Sequence, residues 1–309
     1  MTPTGNSDGP ASPPLAHRAR RAPRQEFAEI RGLRYGLRRW GDPGARPLLM
    51  LHGARDCAAT FQFLVDALEG EWNIVAPDWR GHGHSQWTPQ AYWVHDFLAD
   101  LDALLDAVFP GVRPDVVGHS MGGNVAGLYI GLRPDRIRRF VSLDAMGPMP
   151  HRLPVDMAAT LDSWLRRASA VRPRGHDSLD EVAGRLMKAN PRLTGARAMF
   201  LAEHCTAPGD DGKRRWLFDP SLKHSLPSLH TVEEWAAIWA RVRIPVRWIG
   251  ASDIRRDAPS FSPETVAERR RLLPHAVYTR LEDTGHNIHH DRPEDVAALI
   301  EDFLGKDEA

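Results

Sequence analysis

Val116-Val117-Gly118-His119-Ser120-Met121-Gly122-Gly123-Asn124-Val125-Ala126 is the stretch on which the reading of this chain turns. Two β-branched residues run into G-x-S-x-G, and a helical pattern follows. G-x-S-x-G alone is common by chance; its place between a strand and a helix gives it weight. A tight strand-to-helix turn holds a serine in a strained conformation, and small residues at 118 and 122 let neighbouring elements approach so that the hydroxyl is presented above the sheet. The N-terminus of the following helix favours developing negative charge.

Outward from that turn the rhythm repeats. Pro47-Leu48-Leu49-Met50-Leu51, ending at His52-Gly53, is a short continuous apolar run, as expected for a parallel strand covered on both faces. Asn73-Ile74-Val75-Ala76, Asp115-Val116-Val117, Phe140-Val141-Ser142-Leu143 and Val246-Arg247-Trp248-Ile249 look similar, each ending near Gly, Asp or Pro. Between them residues 94–109 carry the helical period, with Phe97, Leu98, Leu101, Leu104, Leu105 and Val108 as an apolar stripe and Asp96, Asp100, Asp102 and Asp106 as the polar positions. Alternating strands and helices predict an α/β fold, a mostly parallel twisted sheet with helices on both faces and functional groups at the carboxyl ends of the strands.

Two regions depart from the alternation. Residues 26–40, with Gly32 and Gly36, suggest an opening antiparallel hairpin. Residues 147–229 show no clear strand but helical stretches at 157–168, 179–189 and 196–204, and read as a helical insertion. The expected organisation is a disordered leader over 1–25, a catalytic domain from 26–146 and 230–309, and the insertion over 147–229. The leader is rich in Pro, Ser, Gly and Arg with almost nothing apolar to bury, and it lacks the apolar stretch of a secretory signal.

Composition narrows the class. The 309 residues allow a sizeable core, 42% hydrophobic and 26% charged residues are ordinary for a soluble globular protein, and no stretch approaches a membrane span. Lys plus Arg equals Asp plus Glu at 40 each, so net charge points to neither nucleic acid nor an anionic membrane as partner. Two cysteines, Cys57 and Cys205, are too few for a disulfide framework and carry no metal-ligand spacing, which fits a reducing compartment; the expected location is cytoplasmic.

With the elbow in place, the chain resembles the α/β-hydrolase superfamily from about residue 26 to its end. Leu51-His52-Gly53-Ala54 is similar to that superfamily's oxyanion loop, Pro77-Asp78-Trp79-Arg80-Gly81-His82-Gly83-His84-Ser85 to its glycine-rich turn, and Gly285-His286 to its histidine turn. The insertion and Leu143-Asp144-Ala145-Met146-Gly147-Pro148 bring it closest to the serine hydrolase-like group of capped hydrolases.

The resemblance implies roles. Ser120 is the expected nucleophile, and an imidazole must take its proton and return it to the leaving group while a carboxylate fixes the tautomer. His286 is the expected base, since it follows the glycine of a turn after the strand expected at 276–281; His289 and Asp291 beside it are expected to be structural. Asp253, in Gly250-Ala251-Ser252-Asp253, matches the family's usual turn and is the expected acid, with Asp144 the alternative because some capped relatives place their acid one strand earlier. The backbone N–H groups of Ala54 and Met121 are the expected oxyanion donors.

The remaining motifs argue against other chemistry. His52, His82, His84 and His119 sit on tight loops without H-E-x-x-H or comparable spacing, so no metal is expected, and Gly81-His82-Gly83 is no dinucleotide fingerprint, so no cofactor is expected. Arg55 and Phe61 near the site, and Trp164, Trp216 and Trp235 in or beside the insertion, are the positions that would tune an apolar pocket, though most read as packing. The expected reaction is hydrolysis of a small ester or related carbonyl substrate; carbon-carbon, lactone or amide hydrolysis and perhydrolysis would use nearly the same residues. The rival class is a small-molecule-binding protein that keeps the fold without turnover. An Asp at 120 would have indicated dehalogenase or epoxide chemistry, and serine argues against both.

Overall fold

The computed structural model describes residues 16–88, 92–148, 156–168, 175–224, 231–253 and 262–305. Its first half runs through β1 (Arg24–Ile30), β2 (Leu33–Trp40), β3 (Arg46–Leu51), α1 (Gln62–Ala67), β4 (Trp72–Pro77), α2 (Val94–Val108), β5 (Asp115–His119), α3 (Met121–Leu132) and β6 (Phe140–Leu143). Then come α4 (Met157–Ala168), α5 (Leu179–Ala189), α6 (Gly195–His204) and the short strands β7 (Thr206–Pro208) and β8 (Arg214–Trp216). The chain returns to the sheet through α7 (Val232–Trp239), β9 (Val246–Ala251), α8 (Pro263–Leu272), β10 (Val277–Leu281), α9 (Ile288–Asp291) and α10 (Pro293–Leu304).

The apolar runs form the inner strands of an eight-stranded sheet in the order β1-β2-β4-β3-β5-β6-β9-β10. The β1–β2 hairpin and the β2–β4 pair are antiparallel and the other pairs parallel. Strand alternation feeds two cores, as a doubly covered sheet requires. Leu49, Leu51 and Val116 face α2, α3 and α7 through Phe97, Leu101, Val125 and Trp239. Leu48, Met50, Val117 and Val141 face α1 and α10 through Leu64, Val65, Val296 and Ile300. A third cluster joins Cys57, Ala59 and Phe63 to α5 and α6 through Val182, Ala198 and Leu201.

At three points the structure goes beyond the sequence expectations. The stretch 147–229 is not free of strands: β7 and β8 pair antiparallel beside α6. Asp100, one of the polar positions of α2, faces the interior. It is fully buried, takes a two-pronged contact from Arg80 at 2.5 and 2.6 Å, and accepts from Tyr35 and Arg31. The part of the leader from residue 16 onward is ordered: Asp66 of α1 accepts from the His17 ring at 2.8 Å and from the backbone N–H groups of Arg20 and Arg21 at 3.0 and 2.9 Å. His17 also donates its backbone N–H to Ala196 of α6. Residues 1–15 lie outside the described residues. Among the described residues no helix is long and apolar enough to cross a membrane.

Candidate active site

Register places the chemistry. β5 and β6 are parallel neighbours with His119 opposite Leu143, so the residues that follow, Ser120 and Asp144, leave the sheet side by side. Both have positive φ, 52° and 49°, a region that costs a non-glycine residue about 1–3 kcal/mol and persists only where the surroundings impose it. The surroundings do so here: Ser120 N–H donates to Leu143 O at 3.1 Å and Asp144 N–H to Ile249 O at 2.8 Å. Glycine at 122 is required by contact, because a Cβ there would stand 2.3 Å from the Leu51 carbonyl oxygen, and at 118 because a Cβ would stand 2.7 Å from Gly123 Cα.

His286 arrives from the turn after β10. Its Nε2 lies 2.9 Å from Ser120 Oγ and its Nδ1 2.7 Å from Asp144 Oδ2. A carboxylate only accepts, so Nδ1 carries the proton and the Nε2 lone pair faces the serine hydroxyl. The other oxygen of Asp144 accepts the Ala251 N–H at 3.0 Å, which fixes the carboxylate plane, and Asp144 is buried. The His286 carbonyl accepts from His119 Nε2 at 3.0 Å. The turn is clamped by Asp291, which accepts from Gly285 N–H at 2.8 Å and from the Asn190 amide at 2.7 Å. His289 is fully buried, with Nε2 3.1 Å from Thr60 Oγ1.

The expectation that Asp253 orients the imidazole is not met. Asp253 lies one strand further from Ser120, beyond the end of β9; its backbone N–H donates to Thr284 O, and its carboxylate meets Arg192 Nη1 at 3.2 Å. Arg192 also reaches Asp283 at 3.4 Å, so this aspartate joins the α5–α6 connection to the loops around β10. Asp144, the alternative position, is the carboxylate that touches His286.

Of the expected oxyanion donors, Met121 opens α3, and its N–H is one of the amides that a helix leaves without an internal acceptor. Ala54 lines the same cleft as Ser120 and His286, and Gly53 before it lies so close that a Cβ there would be 3.1 Å from Ser120 Cβ. Two loop histidines brace this segment. His52 donates from Nδ1 to Gly53 O at 2.7 Å and accepts the Trp79 N–H on Nε2 at 3.0 Å; His82 accepts the Arg55 N–H on Nε2 at 3.0 Å and meets Arg80 O through Nδ1. Burial lowers His52 well below the usual imidazole range and His82 to about 4, so both stay neutral.

The cleft holds about 450 Å³ and is walled by Leu186, Leu193 and Leu201 from α5, α6 and their connection, and by Trp216 and Phe218, whose rings stack at 6.1 Å. Trp216 is thus the one tryptophan of the three expected that reaches it among the described residues. Trp235 packs on Trp239 beneath Gly147, Phe61 belongs to the core, and Trp164 is not among the described lining residues. Asp56 and Asn190 also line the cleft and were not singled out in the sequence; for Asp56 its position just after His52-Gly53 was the available clue. Burial raises the Asp56 carboxyl to about 6.

Comparison with known proteins agrees with this architecture. A model of the alpha/beta hydrolase family matches residues 48–299. The chain is 28% identical over 277 residues to a serine hydrolase-like protein of Danio rerio, covering 86% of this chain and 83% of that protein. It is 30% identical over 277 residues to lipase LipV of Mycobacterium tuberculosis, covering 87% and 97%. Among solved structures, the thioesterase domain from the curacin biosynthetic pathway shares the fold with a TM-score of 0.77 at 24% identity, covering 90% of this chain and 99% of that domain. The chain therefore belongs to the alpha/beta hydrolase family, as a serine hydrolase enzyme.

Proposed function

We propose that the protein hydrolyses esters, or closely related carbonyl substrates, by acylation of Ser120, with His286 as general base and then general acid and Asp144 as the orienting acid. The observation that carries this reading is the continuous run Ser120 Oγ, His286 Nε2, His286 Nδ1, Asp144 Oδ2, with contacts of 2.9 and 2.7 Å. Attack by Oγ on the carbonyl passes the serine proton to Nε2, and Asp144 stabilises the imidazolium that forms. The tetrahedral oxyanion is held by the N–H groups of Ala54 and Met121, each contributing a few kcal/mol. His286 then protonates the leaving alcohol, and a water activated by the same nitrogen releases the acid.

In this reading residues 26–146 and 230–309 form the catalytic domain and 147–229 a cap that sets the acyl pocket. The walls from Leu186, Leu193, Leu201, Trp216 and Phe218 support an apolar acyl group, bounded by the cleft of about 450 Å³. The test is labelling by a fluorophosphonate probe together with turnover on p-nitrophenyl esters of graded acyl length. Wild type is expected to be labelled and active; Ser120→Ala and His286→Ala are expected to lose at least about three orders of magnitude in kcat. Labelling of Ser120→Ala, or a folded wild type inert to both probe and esters, overturns the reading.

A further inference from the structure

The chain has two cysteines, and the fold brings them together. Cys57 precedes a 3-10 turn, Ala58–Phe61, that follows the His52-Gly53 loop; Cys205 ends α6, 148 residues later in the chain. Both are buried, with sulfurs 3.0 Å apart. Beside them stands Asp56: one carboxylate oxygen and the two sulfurs all lie within 4.8 Å of one another. Asp56 and Cys205 line the cleft that holds Ser120, so an ion has a route from solvent and a water has a place as a further ligand. The carboxylate is already oriented, because it accepts the Cys57 N–H at 2.9 Å.

We propose that Asp56, Cys57 and Cys205 bind one borderline-soft divalent cation of the Zn²⁺ class, tying α6 to the loop after β3 and slowing turnover at Ser120 when occupied. Two thiolates and a carboxylate suit Zn²⁺, Co²⁺ or Cd²⁺ and disfavour Mg²⁺ and Ca²⁺, which take oxygen ligands. Uptake balances simply: the dication displaces the two thiol protons and forms two metal–sulfur bonds, with no electron transferred. In a tetrahedral site with metal–sulfur bonds of about 2.3 Å the sulfurs stand roughly 3.8 Å apart, so they must part by less than about 1 Å, within reach of small χ1 shifts. The loaded site slows turnover because the ion and its water occupy the cleft wall beside Ser120 and His286, and because α6 is then bonded to the loop that carries Ala54.

The test uses the full chain, metal-free and kept reduced by a phosphine. Titration with Co²⁺ is expected to load one equivalent per chain and to produce intense thiolate-to-cobalt charge-transfer absorption, which Zn²⁺ then displaces. Cys57→Ser and Cys205→Ser are each expected to remove that absorption and weaken Zn²⁺ binding by at least about tenfold; Cys→Ala versions serve where serine disturbs folding, judged by Tm. On an activated ester, one equivalent of Zn²⁺ is expected to slow wild type at least about tenfold, with recovery on chelation, while the rate of Cys205→Ser does not respond. The spectroscopic arm holds whether or not the ester reading is right. Uptake that survives both substitutions would assign the ion to Asp56 with the imidazoles of His119 and His289, and overturns the proposal. So does a Co²⁺ spectrum without thiolate bands, or a pair of thiols that closes to a disulfide on removing the phosphine and takes no metal when open.

Discussion

Asp144→Asn isolates the acid without moving the backbone, since Asn tolerates the positive φ of 49° as well as Asp does. The geometry dictates what the amide does. Ala251 N–H points at Oδ1 from 3.0 Å, so the amide oxygen stays there and the NH₂ turns toward His286 Nδ1. Nδ1 must then accept, the ring proton moves to Nε2, and the lone pair that faced Ser120 is gone. Flipping the amide to escape sets two donors against each other at Ala251, at about 1–3 kcal/mol. Even when flipped, the imidazolium lacks its carboxylate, a loss of about 4 kcal/mol for charges about 4 Å apart at an effective dielectric of about 20. Together these remove about 5–7 kcal/mol, about four to five orders of magnitude in kcat at 1.36 kcal/mol per tenfold. Asp253→Asn removes a half-exposed ion pair with Arg192, worth at most about 1 kcal/mol, and is expected to leave kcat within about fivefold. The assay is initial-rate turnover of a p-nitrophenyl ester by both variants and wild type, with Tm matched or corrected. A folded Asp144→Asn enzyme of near-normal kcat beside an inactive Asp253→Asn would refute the geometry-based assignment.

Asp100→Ala strips the buried partner from Arg80 beneath the glycine-rich turn and leaves it the part-exposed Asp96 at 3.2 Å; breaking such a buried pair costs about 3–5 kcal/mol, which the Asp96 contact offsets in part, to be read as a lowered urea midpoint at unchanged m; a change below about 1 kcal/mol would contradict the buried pairing. Stability is expected to fall as pH drops below 6.5, the ordinary imidazole value, because burial lowers His82 to about 4 and His290 to about 3, and holds His52, His119 and His289 well below 6.5. In that window the unfolded chain binds protons the folded chain refuses, so stability is fully present above 6.5 and is lost toward pH 4. Asp56, raised from 3.8 to about 6, and Asp78, also raised by burial, run the opposite way but are two groups against those five, and urea midpoints that stay flat from about pH 7 to about pH 5 would sink the expectation.

The inner strands, the strand-turn-helix at Ser120 and the turn at His286 are legible in the order of residues alone. These are local facts: apolar runs bounded by turn residues define strands, and glycines at 118 and 122 admit the close approach that the Leu51 carbonyl makes at Gly122. The helices predicted in the insertion coincide with α4, α5 and α6, because amphipathic period and caps such as Ser178 and Thr194 act within a few residues. Partnerships across strands and layers arise from packing instead. Asp144 and Asp253 both follow a strand and both precede His286, so spacing left them alike; lateral strand order separates them, since β6 lies beside β5 whereas β9 stands one strand further out. Asp100 reads only as a polar helix position, and that Arg80 and Tyr35 close over it is a matter of packing. The basic residues of the leader read as unstructured because their acceptor, Asp66, lies more than forty residues away. Cys57 and Cys205 show no ligand spacing because spacing motifs record neighbours along the chain, whereas this pair meets only when α6 packs against the loop after β3. Side chains that act through space are invisible to period and propensity, and the register of the sheet is what sets which of them touch.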